Sequence, residues 1–155
     1  FRRMGLGPLY GLGDPYYDIF FNALHLEYLY GRYRDVEYSL SLPRMNGNFA
    51  GYDPSNRPSD LKYVQMITAL RIVYPWVGIT ISTRESPFIR DNLIGLGITK
   101  MSAGSKTTVG GYADENGGGP PDGQFDISDE RGVGEIVEAL SGRGYEAVFK
   151  DWERI

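Results

Sequence analysis

In Val77-Gly-Ile-Thr-Ile-Ser82 the β-branched residues read as a strand, and Thr83-Arg84-Glu85 turns polar at its end. Ser86-Pro87 follows, an N-cap hydroxyl with proline at the first helical position, where its missing N–H costs nothing. The helix this opens runs to about Leu96, where Gly97 terminates it, and Ile98-Thr-Lys-Met-Ser102 is extended again. Strand, polar connection, capped helix and strand in that order make one unit of a parallel α/β sheet.

The same unit repeats on the N-terminal side. Val36-Glu-Tyr-Ser-Leu-Ser-Leu42 alternates like a half-buried strand, and Pro43 stops it. A Gly/Asn/Pro-rich loop spans Met45 to Pro58. Ser59 then caps a helix with Tyr63, Met66, Ile67, Leu70, Val73 and Tyr74 at helical spacing. Further upstream, Met4 to Tyr10 is a short apolar run closed by Gly11-Leu-Gly-Asp14. Asp14 and Pro15 open a helix to about Tyr33, with Ile19, Phe20, Ala23, Leu24 and Glu27 expected along one side. His25 reads as a partly buried helix histidine with a hydrogen-bond partner.

Downstream, Ala103 to Gly123 is loop, because Gly110-Gly111, Gly117-Gly118-Gly119 and Pro120-Pro121 cannot hold a regular element. Within it, Asp114-x-Asn116-x-Gly118 has part of a calcium-loop spacing but lacks the glutamate at the bidentate position. A last helix is expected over Asp129–Leu140, with Val133, Ile136, Val137 and Leu140 inward, and Tyr145 to Lys150 reads as extended. The four strand-helix units equal half of an eight-stranded barrel. An open doubly wound sheet would show the same periodicity.

Composition narrows the chemistry. The 155 residues suffice for one domain or a piece of a larger one, and the chain starts at Phe1 rather than Met, as a fragment would. Glycine, at 21 residues, is about twice its usual ~7% share. There is no cysteine, which removes disulfides, thiolate metal sites and any self-supplied iron–sulfur ligation. His25 is the single histidine, which nearly excludes a multi-histidine metal site and a conventional Ser-His pair too. A formal net charge of −4 argues against general nucleic-acid binding. With no bilayer-spanning apolar run and no signal peptide, the expectation is a soluble, cytoplasmic protein without membrane contact.

Ligands of parallel α/β sheets bind at the C-terminal ends of the strands. That rule singles out Tyr10-Gly11, Pro43-Arg44, Arg84-Glu85 and Ser102 to Ser105. Two arginines and a serine pair at one mouth suit a carboxylate or phosphate, which guanidinium grips bidentately. Each arginine could instead pair with a neighbouring acid, as Arg84 with Glu85 or Asp91. The cluster Gly5-x-Gly7…Gly11-x-Gly13 fails the dinucleotide fingerprint and lacks the lysine of a P-loop.

Several of these segments match a known family. Gly7-Pro-Leu9-Tyr-Gly11-Leu-Gly-Asp14 resembles the Gly-x-Ile-x-Gly-x-x-Glu strand of radical S-adenosylmethionine (SAM) enzymes. More specific are Ile81-Ser-Thr-Arg-Glu-Ser-Pro87 and Arg90-Asp-Asn-Leu93, followed by Ile98-Thr-Lys-Met-Ser-Ala-Gly-Ser105, Gly110-Gly-Tyr112, Gln124-Phe125, Ser128-Asp129 and Lys150-Asp-Trp152. Together they are similar to the C-terminal half of the 2-iminoacetate synthases, the tyrosine lyases of thiazole biosynthesis. The resemblance implies the second half of a (β/α)8 barrel over residues 1–105 and a biotin/thiamin-synthase-associated segment over 106–155. It implies SAM and a [4Fe-4S] cluster as cofactors, with tyrosine cleaved at its Cα–Cβ bond to 2-iminoacetate and p-cresol.

Carried over by position, Arg84 would bind the tyrosine carboxylate, and Ser102, with Ser105 second, its amino group. Gly7, Leu9 and Gly11 would meet SAM, and Arg44 would take a carboxylate at the barrel mouth. The family's Cys-x-x-x-Cys-x-x-Cys loop is absent, so the cluster would be held by an N-terminal half-barrel and this chain alone would be inactive. Thiazole synthase is the implied protein partner. The sister tyrosine lyases of [FeFe]-hydrogenase maturation share the same segments but carry a second cluster on tail cysteines, which this chain lacks. A non-catalytic module binding an amino-acid-like ligand or a partner is the reading from another class. The unpaired first and fourth strands of a half-barrel lead to an expectation of self-association, as a two-fold pair closing a pseudo-barrel.

Overall fold

Leu6, Leu40 and Ile79 lie side by side across three neighbouring parallel strands, and Ile81 continues to Met101 on a fourth. These strands are β1 (Arg3–Leu6), β2 (Glu37–Ser41), β3 (Gly78–Ile81) and β4 (Lys100–Met101). The computed structural model describes residues 2–45, 55–107 and 127–149. Between the strands run α1 (Pro15–Arg32), α2 (Asp60–Val73) and α3 (Pro87–Leu93), the last continued by a 3-10 turn (Ile94–Leu96); α4 (Val133–Ser141) follows β4.

Sheet order separates the two architectures that periodicity leaves open. The order is β1-β2-β3-β4, each strand beside its sequence neighbour and every pair parallel. A doubly wound sheet reverses its order at a switch point, whereas a barrel advances in one direction. The chain therefore has the α/β fold of half a (β/α)8 barrel.

The caps follow the sequence closely. Asp14 accepts from the backbone N–H of Tyr16, Ser59 from Lys62 and Ser86 from Ile89, each satisfying a donor that the first helical turn leaves open. Gly97 takes φ +111° and ends the 3-10 turn.

The two faces of the sheet differ. Tyr38, Leu40, Leu42, Ile79 and Ile81 are buried under the helices together with Leu26, Tyr63, Ile67, Leu70 and Leu93. The opposite face carries Gly5, Ser39, Ser41, Gly78 and Thr80, because successive side chains of a strand alternate. At its N-terminal edge Glu37 joins Arg3 (3.1 Å) to Lys100 (2.8 Å).

Several expectations need correction. The first strand ends at Leu6; Tyr10 returns to the sheet only as an isolated bridge to Arg44. The fourth strand is confined to Lys100–Met101, and the last helix starts at Val133 rather than Asp129. On that helix Ile136 is buried, but Val133 is half exposed. On α1 the inward face is Asn22 and Leu26 with Ile19 and Ala23, while Phe20 and Leu24 point to solvent. The helix is apolar on both sides, so spacing alone could not tell which one packs. His25 is exposed rather than partly buried. The calcium-like residues Asp114 and Asn116, the Gly-Pro loop from Val109 onward and Lys150 to Ile155 lie outside the described residues.

Candidate functional site

All four places named from sequence fall at one end of the sheet, because all four strands run parallel. The β1 and β2 ends are stitched together there: Tyr10 N–H donates to the Pro43 carbonyl at 2.9 Å, and Met45 N–H to the Tyr10 carbonyl at 2.8 Å. Tyr10 is fully buried, with its hydroxyl accepting from Asn22, and burial pushes its pKa up to about 12.

Arg44 is 2% exposed. Its Nε donates to Glu85 at 3.0 Å and its Nη2 to the second Glu85 oxygen, a two-pronged pair between the ends of β2 and β3. Nη1 donates to Asp60 at 2.7 Å and to the Pro58 carbonyl at 3.0 Å, and the guanidinium sits 4.3 Å from the Tyr63 ring centre. Burial works against the charged guanidinium, but the carboxylates of Glu85 and Asp60 outweigh it and raise the pKa. Arg44, expected to take a carboxylate at the mouth, is paired with two carboxylates of the protein, Glu85 and Asp60. Burial, with the Glu85 charge adding to it, pushes the Tyr63 hydroxyl well above its ordinary value.

Arg84 is half-buried and lines a cavity of about 300 Å³ with Arg44, Arg57, Asp60, Glu85, Ser86, Ile89 and Ser128. Its backbone N–H is 3.4 Å from the Ser82 hydroxyl. Of the acids nearby, Glu85 holds Arg44, and Asp91 holds Arg131 and Arg143. The cavity brings three arginines together with two carboxylates, a setting suited to a zwitterion.

Ser102 continues β4, its N–H bonded to the Ile81 carbonyl at 3.1 Å. Its own carbonyl accepts from Arg90, a guanidinium with no exposed surface. Arg90 also pairs with buried Asp129, which in turn accepts from Arg131 at 2.6 Å. Ser128 and Asp129 N–H groups both donate to the Thr83 carbonyl, at 2.9 and 3.0 Å. Gly104 N–H donates to the Arg131 carbonyl at 3.1 Å. Residues 128–131 therefore tie the loop after β3, which carries Arg84, to the loop after β4, which carries Ser102 and the half-buried Ser105. Burial would raise the Asp129 carboxyl pKa, but bonding to Arg131 and the charge of Arg90 bring it below the ordinary value. The Arg90 pKa is lowered as well, chiefly by burial.

Gly7 is exposed on the open face at the end of β1, and a Cβ there would come 3.1 Å from the Ser41 carbonyl oxygen. Half-buried Leu9 follows. Gly11 is buried with φ +116°, its hydrogens facing Met45 Cβ and Arg57 Cα, each 3.3 Å from where a Cβ would stand. Bare backbone at Gly7 fits the close approach of a flat ring. A cluster does not fit: the chain has no cysteine, and among the described residues no group of three or more His, Cys, Asp or Glu could hold a metal ion.

Sequence reasoning placed Glu85 here but offered it to Arg84 rather than Arg44, and it missed Asp60, Arg90, Asp129 and Arg131 as parts of this end of the sheet. A charge inside the first turns of α3 beside Ile89 was the available signal for Arg90. Asp129 read as a helix start because its partner is 39 residues away.

A half-barrel whose strand ends carry this arginine–serine set belongs to a recognisable class. The chain is a member of the Biotin and Thiamin Synthesis associated domain family, which matches residues 41–146. It is 39% identical over 152 residues to 2-iminoacetate synthase of Salmonella typhimurium and, to the same extent, to that of Escherichia coli. Each match covers 97% of this chain and 40% of the relative, so the chain spans two-fifths of the length of these curated relatives. Among solved structures it is similar to HydG, a maturase of the [FeFe]-hydrogenase, with TM-score 0.79 and 33% identity over 93% of this chain and 31% of that one. HydG from Carboxydothermus hydrogenoformans matches with TM-score 0.76 and 34% identity, covering 94% and 32%. The relatives are those of the resemblance read from sequence. Among the described residues no helix is long and apolar enough to cross a membrane.

Proposed function

We propose that this chain supplies the C-terminal half-barrel, residues 1–105, and the associated segment, 106–155, of a radical SAM tyrosine lyase that makes 2-iminoacetate for thiazole biosynthesis in the cytoplasm. The observation that carries the reading is the pair of buried ion pairs, Arg44–Glu85 and Arg90–Asp129, that fix the loops bearing Arg84 and Ser102 at one end of the sheet. Preorganised groups of this kind hold a substrate without reorganising when it arrives.

In this reading Arg84 takes the tyrosine carboxylate as a charge-assisted pair, and Ser102, with Ser105 beside it, accepts from the amino group. Gly7, Leu9 and Gly11 form the strand end against which the adenine of SAM lies. Arg44 holds Glu85 and so shapes the wall next to Arg84. SAM, if held at Gly7, Leu9 and Gly11, would supply the radical chemistry that acts on tyrosine. The cluster's cysteines come from a cysteine-bearing half-barrel outside these 155 residues, and this chain alone has no lyase activity. The product's consumer, a thiazole synthase, is the protein partner.

The likeness to HydG supports a second reading, a tyrosine lyase of hydrogenase maturation. The higher identity to the 2-iminoacetate synthases, 39% against 33% and 34%, favours the first reading. Calorimetry separates these readings from a non-catalytic module. Tyrosine and SAM each bind the assembled barrel in the lyase reading; binding of neither, with tight binding of a thiazole synthase, would replace it by the module.

A further inference from the structure

Helix α1 carries a second apolar face that the fold does not use. Tyr17, Phe21, Leu24 and Tyr28 are spaced four, three and four residues apart, and Phe20 flanks them. At 100° per residue these four fall within about 60° of each other, a coiled-coil seam rather than scattered surface residues. They are 68%, 62%, 47% and 63% exposed, and Phe20 is 57% exposed. Tyr17 and buried Leu26 are nine residues apart and so half a turn out of phase: the seam points directly away from the sheet. Neighbouring barrel helices pack against the flanks of a helix, not its outer face, so closing the barrel would leave this seam uncovered.

We propose that the seam is a homodimer interface, in which α1 of a second copy packs antiparallel across it. Area is the first argument. Five such side chains leave roughly 600 Å² of apolar surface per copy, or ~1,200 Å² for a pair, the lower bound of specific interfaces. Charge fixes the direction. Asp14 and Asp18 stand at the N-terminal end of the helix and Arg32 in its last turn, with Arg34 just beyond. A parallel pair would set like charges together, whereas an antiparallel pair sets each acidic end against the basic end of the other copy and opposes the two helix dipoles. A two-fold axis between Phe21 and Leu24 then faces Tyr17 with Tyr28, and Phe21 with Leu24, in both halves of a self-complementary contact.

The test uses the full chain, which lacks cysteine, so introduced thiols are the only ones present. Sedimentation velocity is expected to show a dimer whose dissociation constant rises at least ~30-fold in Phe21→Glu, a change at an exposed helical position that circular dichroism will show to be folded. Mixing Tyr17→Cys with Tyr28→Cys chains under oxidation is expected to give the 17–28 disulfide in preference to 17–17 and 28–28. A monomeric wild type, a dimer indifferent to Phe21→Glu, as pairing through the β1 or β4 edge would give, or dominant 17–17 cross-linking would each overturn the proposal.

Discussion

Arg44 and Glu85 stand 41 residues apart in sequence and meet as a two-pronged ion pair in which both side chains are 2% exposed. Taking two charges out of water is costly, and removing one partner strands the other. Glu85→Ala should therefore cost about 3–5 kcal/mol of unfolding free energy by chemical denaturation. Asp60 also pairs with Arg44 but is 64% exposed. Asp60→Ala should cost no more than about 1 kcal/mol. Equal losses for the two variants would mean that burial does not set the strength of this pair.

Asp129 links stability to acid. Its folded carboxyl titrates below the unfolded value of ~3.9, so the unfolded state takes up the proton first. The stabilisation is fully present above about pH 4 and is lost as pH falls through the lower folded pKa. Asp129→Asn should be less stable at neutral pH, and the gap to wild type should narrow as pH drops below 4. Urea midpoints measured from pH 6 to pH 2.5 report it; a constant gap would contradict the assignment.

Gly97 and Gly31 should respond oppositely to alanine. Gly97 sits at φ +111°, and a Cβ there would stand 2.9 Å from Arg71 Cγ, part of the side chain that binds the Gly97, Pro75 and Val77 carbonyls. Gly97→Ala should lower stability by about 1–3 kcal/mol. Gly31 lies in α1 with nothing within 4 Å of its added Cβ, and Gly31→Ala should raise stability by about 0.5–1 kcal/mol. Thermal melts of the two variants decide both.

Arg84→Ala should weaken tyrosine binding by the assembled barrel roughly 10–100-fold, the range of a charged hydrogen-bonded pair. Tyramine, which lacks the carboxylate, should bind wild type and variant alike. Calorimetry with both ligands checks this. Equal losses for tyrosine and tyramine would point to a collapsed cavity instead.

Local signals in the sequence carried much of the fold. Asp14-Pro15, Ser59 and Ser86-Pro87 cap the helices as read, because a cap depends only on residues two or three positions away. Strand order did not follow from those signals, since a half-barrel and an open sheet share one periodicity. The face of α1 was misread because Phe20, Leu24 and Tyr28 are as apolar as the residues that pack. Arg84, Ser102 and Arg44 were found at the strand ends by the general rule for parallel sheets. Arg90 and Asp129 were not, and Glu85 was placed there without its partner Arg44, because pairing across 39 or 41 residues leaves no spacing to read.

The most direct measurement of the central claim is p-cresol formation when this chain is co-expressed with a half-barrel bearing Cys-x-x-x-Cys-x-x-Cys and supplied with iron, sulfide, SAM, reductant and tyrosine. The expected result is p-cresol from the pair, none from either part alone, and none from the pair carrying Arg84→Ala. Turnover by this chain alone, or a pair that assembles and binds the cluster yet leaves tyrosine intact, would contradict it.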